Sequence, residues 1–156
     1  MPETARPFTA FKFSVEINVP GLSERLCEAS FAECDGLEMT MQPKTIREGG
    51  NNGRAIHLAG PVSYGQLTLK RGMTANFSLW QWFSKALVRG EPGLRADILV
   101  KILASDDGDE ASVQAQFALS RCLPVKLKAP SLHAKDGQIA IEEMQIVYET
   151  LTLEEP

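Results

Sequence analysis

The chain has 156 residues, 44% of them hydrophobic and 23% charged, which is the make-up of a globular chain with a core. That length fits one domain over 1–156; two domains would each be undersized. Sixteen Lys and Arg against twenty Asp and Glu leave a net charge of -4, with basic residues such as Arg6, Lys12, Arg25 and Arg54 spread along the chain, so no basic patch invites nucleic acid.

Three cysteines, Cys27, Cys34 and Cys122, are odd in number and lack the close pairing of a zinc site, which predicts reduced thiols. Met1 to Ala10 carries Pro2 and Pro7 and has no apolar run long enough for a secretory signal. No segment approaches eighteen consecutive apolar residues, so no membrane span is expected. Synthesis in the cytoplasm follows as an expectation.

Phe11 to Val19 alternates apolar and polar residues, a strand with one wet face, closed by Pro20-Gly21. Ser30 to Cys34 is a second extended run ended by Asp35-Gly36, with spacing that suits an antiparallel partner. Leu37, Met39 and Met41 form a third strand that halts at Pro43, and Lys44 to Glu48 extends it. Gly49-Gly50-Asn51-Asn52-Gly53 reads as a hairpin tip, Arg54 to Leu58 returns as a strand, and Gly60-Pro61 breaks it. Gln66 to Arg71 is the next strand, ended by Gly72.

Phe77, Trp80, Phe83 and Leu87 recur at helical spacing between Thr74 and Arg89. Thr74 or Asn76 caps the start, Lys85 and Arg89 suit the last turn, and Gly90 stops it. Trp80 and Phe83 are expected in the core, with Trp82 partly at the rim or at a subunit contact. Leu94 to Ala104 and Ser112 to Leu123 flank Asp106 to Glu110, a hairpin signal, and should pair antiparallel. Val113, Ala115, Phe117 and Leu119 share a face opposite Gln114, Gln116 and Ser120. Gln138 to Leu153 changes phase, because Ile139 and Ile141 oppose Met144, Ile146 and Tyr148; a bulge at Glu142-Glu143 would reconcile them. The fold class is therefore mainly β: a small antiparallel barrel or sandwich with one packed helix and an extended hairpin arm.

Catalytic signals are weak. Gly49 to Gly53 lacks the Lys-Ser/Thr of a phosphate loop. Asp106, Asp107, Asp109 and Glu110 lack calcium-loop spacing, and His57 and His133 stand apart from other ligands. No G-x-S-x-G is present, and Glu142 and Glu143 point to opposite faces of a strand. Cofactors and catalytic residues are expected to be none. A monomeric sugar-binding or hydrolytic β-domain remains the alternative, resting on Trp80, Trp82 and a meeting of Cys34 with a histidine.

Ile46-Arg47-Glu48-Gly49-Gly50-Asn51-Asn52, then Gln66-Leu67-Thr68-Leu69-Lys70-Arg71-Gly72, then Leu79-Trp80-Gln81-Trp82-Phe83 resemble, in order and spacing, the tube protein family of contractile phage tails. Phe13-Ser14-Val15, Gly36-Leu37 and Ile141-Glu142 add to the likeness, which runs from about Phe11 to Leu153. Gly21 to Cys27 departs from it as extra material, and Cys34 stands where a small polar residue is expected. The resemblance implies a structural, non-enzymatic subunit of hexameric rings stacked into a tube, with sheath, baseplate, spike and tube paralogues as partners. It also places an assembly arm at Arg47, Glu48, Gly49, Gly50, Asn51, Asn52, Gly53 and Arg54.

Overall fold

The computed structural model describes residues 12–19, 31–47, 49–50, 53–87, 95–104, 113–135 and 137–155. The Asp106 to Glu110 turn, the Gly21 to Cys27 connection, and Arg89 and Gly90 lie outside them, as do Glu48, Asn51 and Asn52 of the arm.

Among the described residues eleven strands and one helix follow in chain order: β1 (Phe13–Asn18), β2 (Glu33–Asp35), β3 (Met39–Met41), β4 (Lys44–Arg47), β5 (Ala55–Leu58), β6 (Val62–Tyr64), β7 (Gln66–Gly72), α1 (Ser78–Ala86), β8 (Ala96–Leu103), β9 (Val113–Lys128), β10 (Ile141–Val147) and β11 (Thr150–Glu154). Every pairing is antiparallel, and the main sheet runs β1-β8-β9-β10-β7-β2, with β11 also on β9. The mainly β, antiparallel, one-helix expectation holds.

The long strand β9 divides this sheet in two. Its first part lies between β8 and β11, giving a four-stranded sheet β1-β8-β9-β11; its last part, Leu123 to Lys128, pairs with β10 and starts a second sheet β9-β10-β7-β2. The bend falls at Arg121, whose φ of +52° is rare for a side-chain-bearing residue, and the β8 register slips there between Ala96 and Ile98. Pro124 sits in β9 opposite a second slip, at Gln145/Ile146, which is where a strand tolerates a residue with no N–H to donate. The sequence reading stopped this strand at Leu123; the bulge lets it continue. The two sheets then close on one core, in which Ile17, Ile98 and Leu119 meet Leu67, Leu69, Met144 and Ile146. The ends of the path, β1 and β2, do not pair with each other; Phe13, Cys34, Leu37, Val100, Ile102 and Phe117 line a hollow of about 270 Å³ between them. Among the described residues no strand bridges this seam.

Four expectations are corrected. β2 pairs with β7, while β1 takes β8 as its partner. β6, beyond Gly60-Pro61, exists and pairs with β3. The helix spans Ser78–Ala86, with the Asn76 side-chain oxygen accepting the Ser78 N–H at 3.1 Å, and it buries Leu79 and Trp82. Phe77 and Leu87 are exposed, and Trp80 and Phe83 are half-buried. The apolar stripe predicted from spacing is thus off by one residue, about 100° of helix rotation.

The fourth correction explains that shift. β10 runs against β7 without interruption from Ile141↔Gly72 to Val147↔Gln66, so there is no bulge at Glu142-Glu143. Ile139 and Ile141 instead face outward, and Glu142, only 1% exposed, occupies a core position. It is compensated there: Arg71, itself 3% exposed, donates from Nε to Glu142 Oε1, and the Trp80 indole N–H donates to Oε2 at 2.8 Å. Arg71 Nη2 also donates to the Asn76 carbonyl at 3.0 Å, and the guanidinium lies 5.7 Å from the Phe31 ring centre. A buried charge needs such a partner, and this one docks the start of the helix on both β7 and β10. The Gln138 to Leu153 segment is accordingly two strands, parted at Tyr148-Glu149.

Candidate assembly surfaces

Residues 39–47 and 53–64 build a projecting ribbon. β3 and β6 pair over Met39↔Tyr64, Thr40↔Ser63 and Met41↔Val62; β4 and β5 pair over Lys44↔Leu58, Thr45↔His57, Ile46↔Ile56 and Arg47↔Ala55. The two halves meet where Gly60 passes so close to Gln42 that an added Cβ would lie 1.8 Å from the Gln42 carbonyl oxygen, which only glycine permits. Nine residues from Met39 to Arg47 at 3.3 Å each give an arm of roughly 30 Å. Every residue of β3, β4 and β5 is exposed.

Cross-strand partners share a face. One face of the outer ribbon therefore carries Ile46, Ile56, Leu58 and Lys44, the other Thr45, His57, Arg47 and Ala55. In the inner ribbon Met39 and Met41 line up with Tyr64 and Val62. Met39 is 61% and Val62 50% exposed, too much apolar surface on an isolated ribbon to be stable alone. The root is fixed by Tyr148, whose hydroxyl accepts the Glu38 N–H at 3.1 Å and lies 2.8 Å from the Gly36 carbonyl oxygen it donates to. Its ring lies 5.6 Å from that of Tyr64.

Of the arm residues named from sequence, Arg47 ends β4, and Gly49, Gly50, Gly53 and Arg54 are exposed around the tip. Gly50 adopts a φ of +100°, as a turn glycine should. Sequence reasoning emphasised this polar tip and passed over the apolar stem, although the Met39/Met41 alternation was the signal for it.

The outer face of the first sheet is mainly polar, with Leu99 and Ala118 set among its polar side chains. Lys101 pairs with Glu16 at 3.0 Å, the Gln116 side-chain amide donates to Glu154 at 2.6 Å, and the Ser120 and Thr150 hydroxyls bond to each other. Gln114 and Gln116 lie on this face, as the alternation required. β1 and β11 are its edge strands.

Among the described residues no arrangement favours catalysis. Burial, with Asp35 adding to it, pushes the Cys34 thiol up to about 12, and burial pushes Cys122 to about 12 with Asp97 adding to it; a nucleophilic thiol needs the opposite shift. The His57 ring nitrogen is 3.4 Å from the Thr45 hydroxyl, and His133 is exposed on a loop. Trp82 is fully buried and the Trp80 N–H is held by Glu142, so the two offer no joint stacking platform. Among the described residues no three His, Cys, Asp or Glu side chains group as metal ligands, and no helix is long and apolar enough to cross a membrane.

Comparison with known proteins agrees with this architecture. No curated protein matched in sequence. A chain in the 6-fold symmetrised baseplate of the anti-feeding prophage is similar at 25% identity and a TM-score of 0.80, over 97% of both chains. A chain of the sheath-tube complex of an extracellular contractile injection system, PVC, reaches 19% identity and a TM-score of 0.79 over 98% of this chain and 95% of that one. Hcp1 from Flavobacterium johnsoniae shares the fold at 15% identity and a TM-score of 0.50, over 92% and 96%. Residues 9–152 match the family described as T4-like virus tail tube protein gp19. The chain belongs to that family and is a tail tube subunit, built in its described residues from antiparallel sheets, one helix and a projecting arm.

Proposed function

We propose that six copies of this chain close into a ring, that rings stack into a tube, and that the lumen conducts cargo passively when a surrounding sheath contracts. The observation that carries the proposal is strand direction. Along β1-β8-β9-β11 the strands alternate up and down, so the two edges run oppositely. A ring rotation preserves strand direction, and β1 of one copy placed beside β11 of the next is again antiparallel. Joining them continues one sheet around the ring and removes both exposed edges, which are otherwise aggregation hazards. The mainly polar outer face of that sheet then lines the lumen or meets the sheath. Sixfold symmetry is supported by the symmetrised baseplate that holds the similar anti-feeding prophage chain.

The arm, with Arg47, Glu48, Gly49, Gly50, Asn51, Asn52, Gly53 and Arg54 at its end, lies against a neighbouring copy and buries its apolar stem there. Sheath, baseplate, spike and tube paralogues are the partners of the assembled tube, and the 25% identity with a baseplate chain favours the baseplate-proximal layer. Made in the cytoplasm, the chain works as a part of the injection particle. It acts without turnover and without a cofactor, so rings should survive EDTA and reducing agent.

Electron micrographs of the purified chain test the reading: sixfold annuli and rods are expected. A protein that stays monomeric, with a radius of gyration of about 15 Å, would refute it. Replacing Glu48 to Arg54 by a Gly-Ser turn should leave a folded subunit and stop tube growth; long tubes from that variant would remove the arm from the assembly.

A further inference from the structure

The outer face of the second sheet carries an ordered charge pattern. In register across β9, β10, β7 and β2, Lys128 stands opposite Glu143, Glu143 opposite Lys70, and Lys70 opposite Glu33. The adjacent row reads Lys126, Gln145, Thr68, Asp35. Both rows start with an exposed lysine on β9 and end with an exposed carboxylate on β2. Among the described residues, Leu123 to Lys128 of β9 pairs only with β10, and β2 only with β7, so the lysines and carboxylates form opposite flanks of the sheet.

These flanks also point toward opposite ends of the first sheet. β2 lies across the seam from Phe13, Ile102 and Phe117, where β1 begins. Leu123 to Lys128 departs beyond Cys122, which faces Ala96 at the end where β1 finishes. We propose that Lys126 and Lys128 of one copy seat against Glu33 and Asp35 of the next copy along the strand direction, a head-to-tail contact that stacks one ring on another. The inference rests on the reading of the chain as a subunit of stacked rings.

The occupant follows from charge. A second copy continues the row Lys-Glu-Lys-Glu without a break, since its Lys128 follows the first copy's Glu33. A copy turned head to head would set lysine on lysine, and like charges brought together are penalised, so the pattern gives the stack a polarity. A contact of this kind does not close on itself and repeats as a filament. Local charges set which pair matters most. Glu33 is already bridged to Lys70 at 3.5 Å and has Lys12 beside the same seam, and Glu143 faces Lys128. In the strand register Lys126 faces the uncharged Gln145 and Asp35 faces Thr68, with no opposite charge across from either among the described strands. Lys126 with Asp35 is the leading pair.

Charge reversal tests this on the full chain. K126E/K128E and E33K/D35K should each still form rings, while the concentration needed for tube growth rises on the order of tenfold, the size expected for two exposed ion pairs turned to repulsion. The fourfold variant, with both flanks reversed, should grow tubes at close to the wild-type concentration. Wild-type growth should also weaken from low to high salt, because exposed pairs are screened. Because Asp35 accepts the Gly36 N–H at 2.8 Å, the acidic flank is also tested by Glu33→Lys alone. A K126E/K128E protein that grows tubes at the wild-type concentration, or a folded fourfold variant no better than its parents, overturns the contact. Wild-type protein that makes no rings sinks the ring reading, whereas rings that stack regardless of either flank sink only this one.

Discussion

Replacing Glu142 by glutamine should be among the most damaging single changes in this chain, although it alters neither size nor shape. Glu142 is 1% and Arg71 3% exposed, so the guanidinium would lose the carboxylate it is paired with inside the core. Leaving one member of a buried pair behind costs about 3–5 kcal/mol, against a total of about 5–15 kcal/mol for a domain. Trp80 adds to the loss if the amide turns the wrong atom toward its N–H, about 1–3 kcal/mol for an unsatisfied buried donor. Arg71→Met should cost a similar amount. The double variant Arg71→Met/Glu142→Leu should not double the damage: well-packed apolar pairs replace buried ion pairs with a change between neutral and a gain of about 1–4 kcal/mol, offset here by the stranded Trp80 N–H. A double-mutant cycle by urea denaturation, followed by circular dichroism at one fixed protein concentration because association adds to apparent stability, should give a coupling of about 3 kcal/mol or more. Glu142→Gln within about 1 kcal/mol of wild type, or losses that simply add, would refute the argument that this pair docks the helix.

Trp82→Ala, which empties the site of a fully buried indole, should cost about 3–5 kcal/mol in the same assay, whereas Phe77→Ala at a half-exposed site should stay within about 1 kcal/mol. Cys34 and Cys122 should resist alkylation at pH 8: a thiol at about 12 holds about a thousandfold less thiolate than one at its ordinary value of 9.0, so labelling at unfolded-chain rates would contradict their burial. Because their folded values are raised, their contribution to stability is full below pH 9 and is lost as pH rises toward about 12; alkaline melts that lack this fall, or keep it in the Cys34→Ala/Cys122→Ala variant, would count against that linkage. Gly60→Ala should distort the ribbon joint at the Gln42 carbonyl while leaving the melting temperature nearly unchanged, and tubes should fail to grow; normal growth would mean the joint geometry does not matter for assembly.

What the sequence disclosed follows from how far apart the relevant partners are. β1, β7 and the first part of β9 announce themselves, because a half-buried strand writes its alternation locally. The ribbon tip is legible for the same reason, since Gly49 to Gly53 can do little but turn. Glu142 was misread because its justification, Arg71, lies 71 residues away; with no visible partner a glutamate looks like a surface residue, and the phase of the whole strand was bent to suit it. The same hidden contact draws Trp80 to the rim of the helix and leaves Trp82 for the core, a choice that two tryptophans two residues apart cannot reveal by spacing. The continuation of β9 past Leu123 through Pro124 is hidden because it depends on a bulge, Val125 being passed over between the pairs Ile146↔Pro124 and Gln145↔Lys126, which shows only once the partner strand is known. Of the assembly surfaces, the flank charges Lys126, Lys128, Glu33 and Asp35 are invisible in one dimension; they form rows only once register is known.

The placement of polar groups separates two kinds of stability in this subunit. Arg71, Glu142 and the Tyr148 hydroxyl turn their polar atoms inward and are saturated by near neighbours, so they fix one arrangement of helix, sheet and arm root before any partner arrives. The arm beyond that root is the reverse: Ile46, Ile56, Leu58, Met39 and Met41 are exposed, and the ribbon bonds mainly to itself. A surface of that sort gains most of its apolar burial only on association. Pinning the root at Gly36 and Glu38 lowers the entropy lost when the arm docks, since its direction is already set even though its face is uncovered. The exposed ion pairs on the sheet flanks contribute little per contact by comparison, which suits them to selecting orientation while the apolar arm and the strand edges supply affinity.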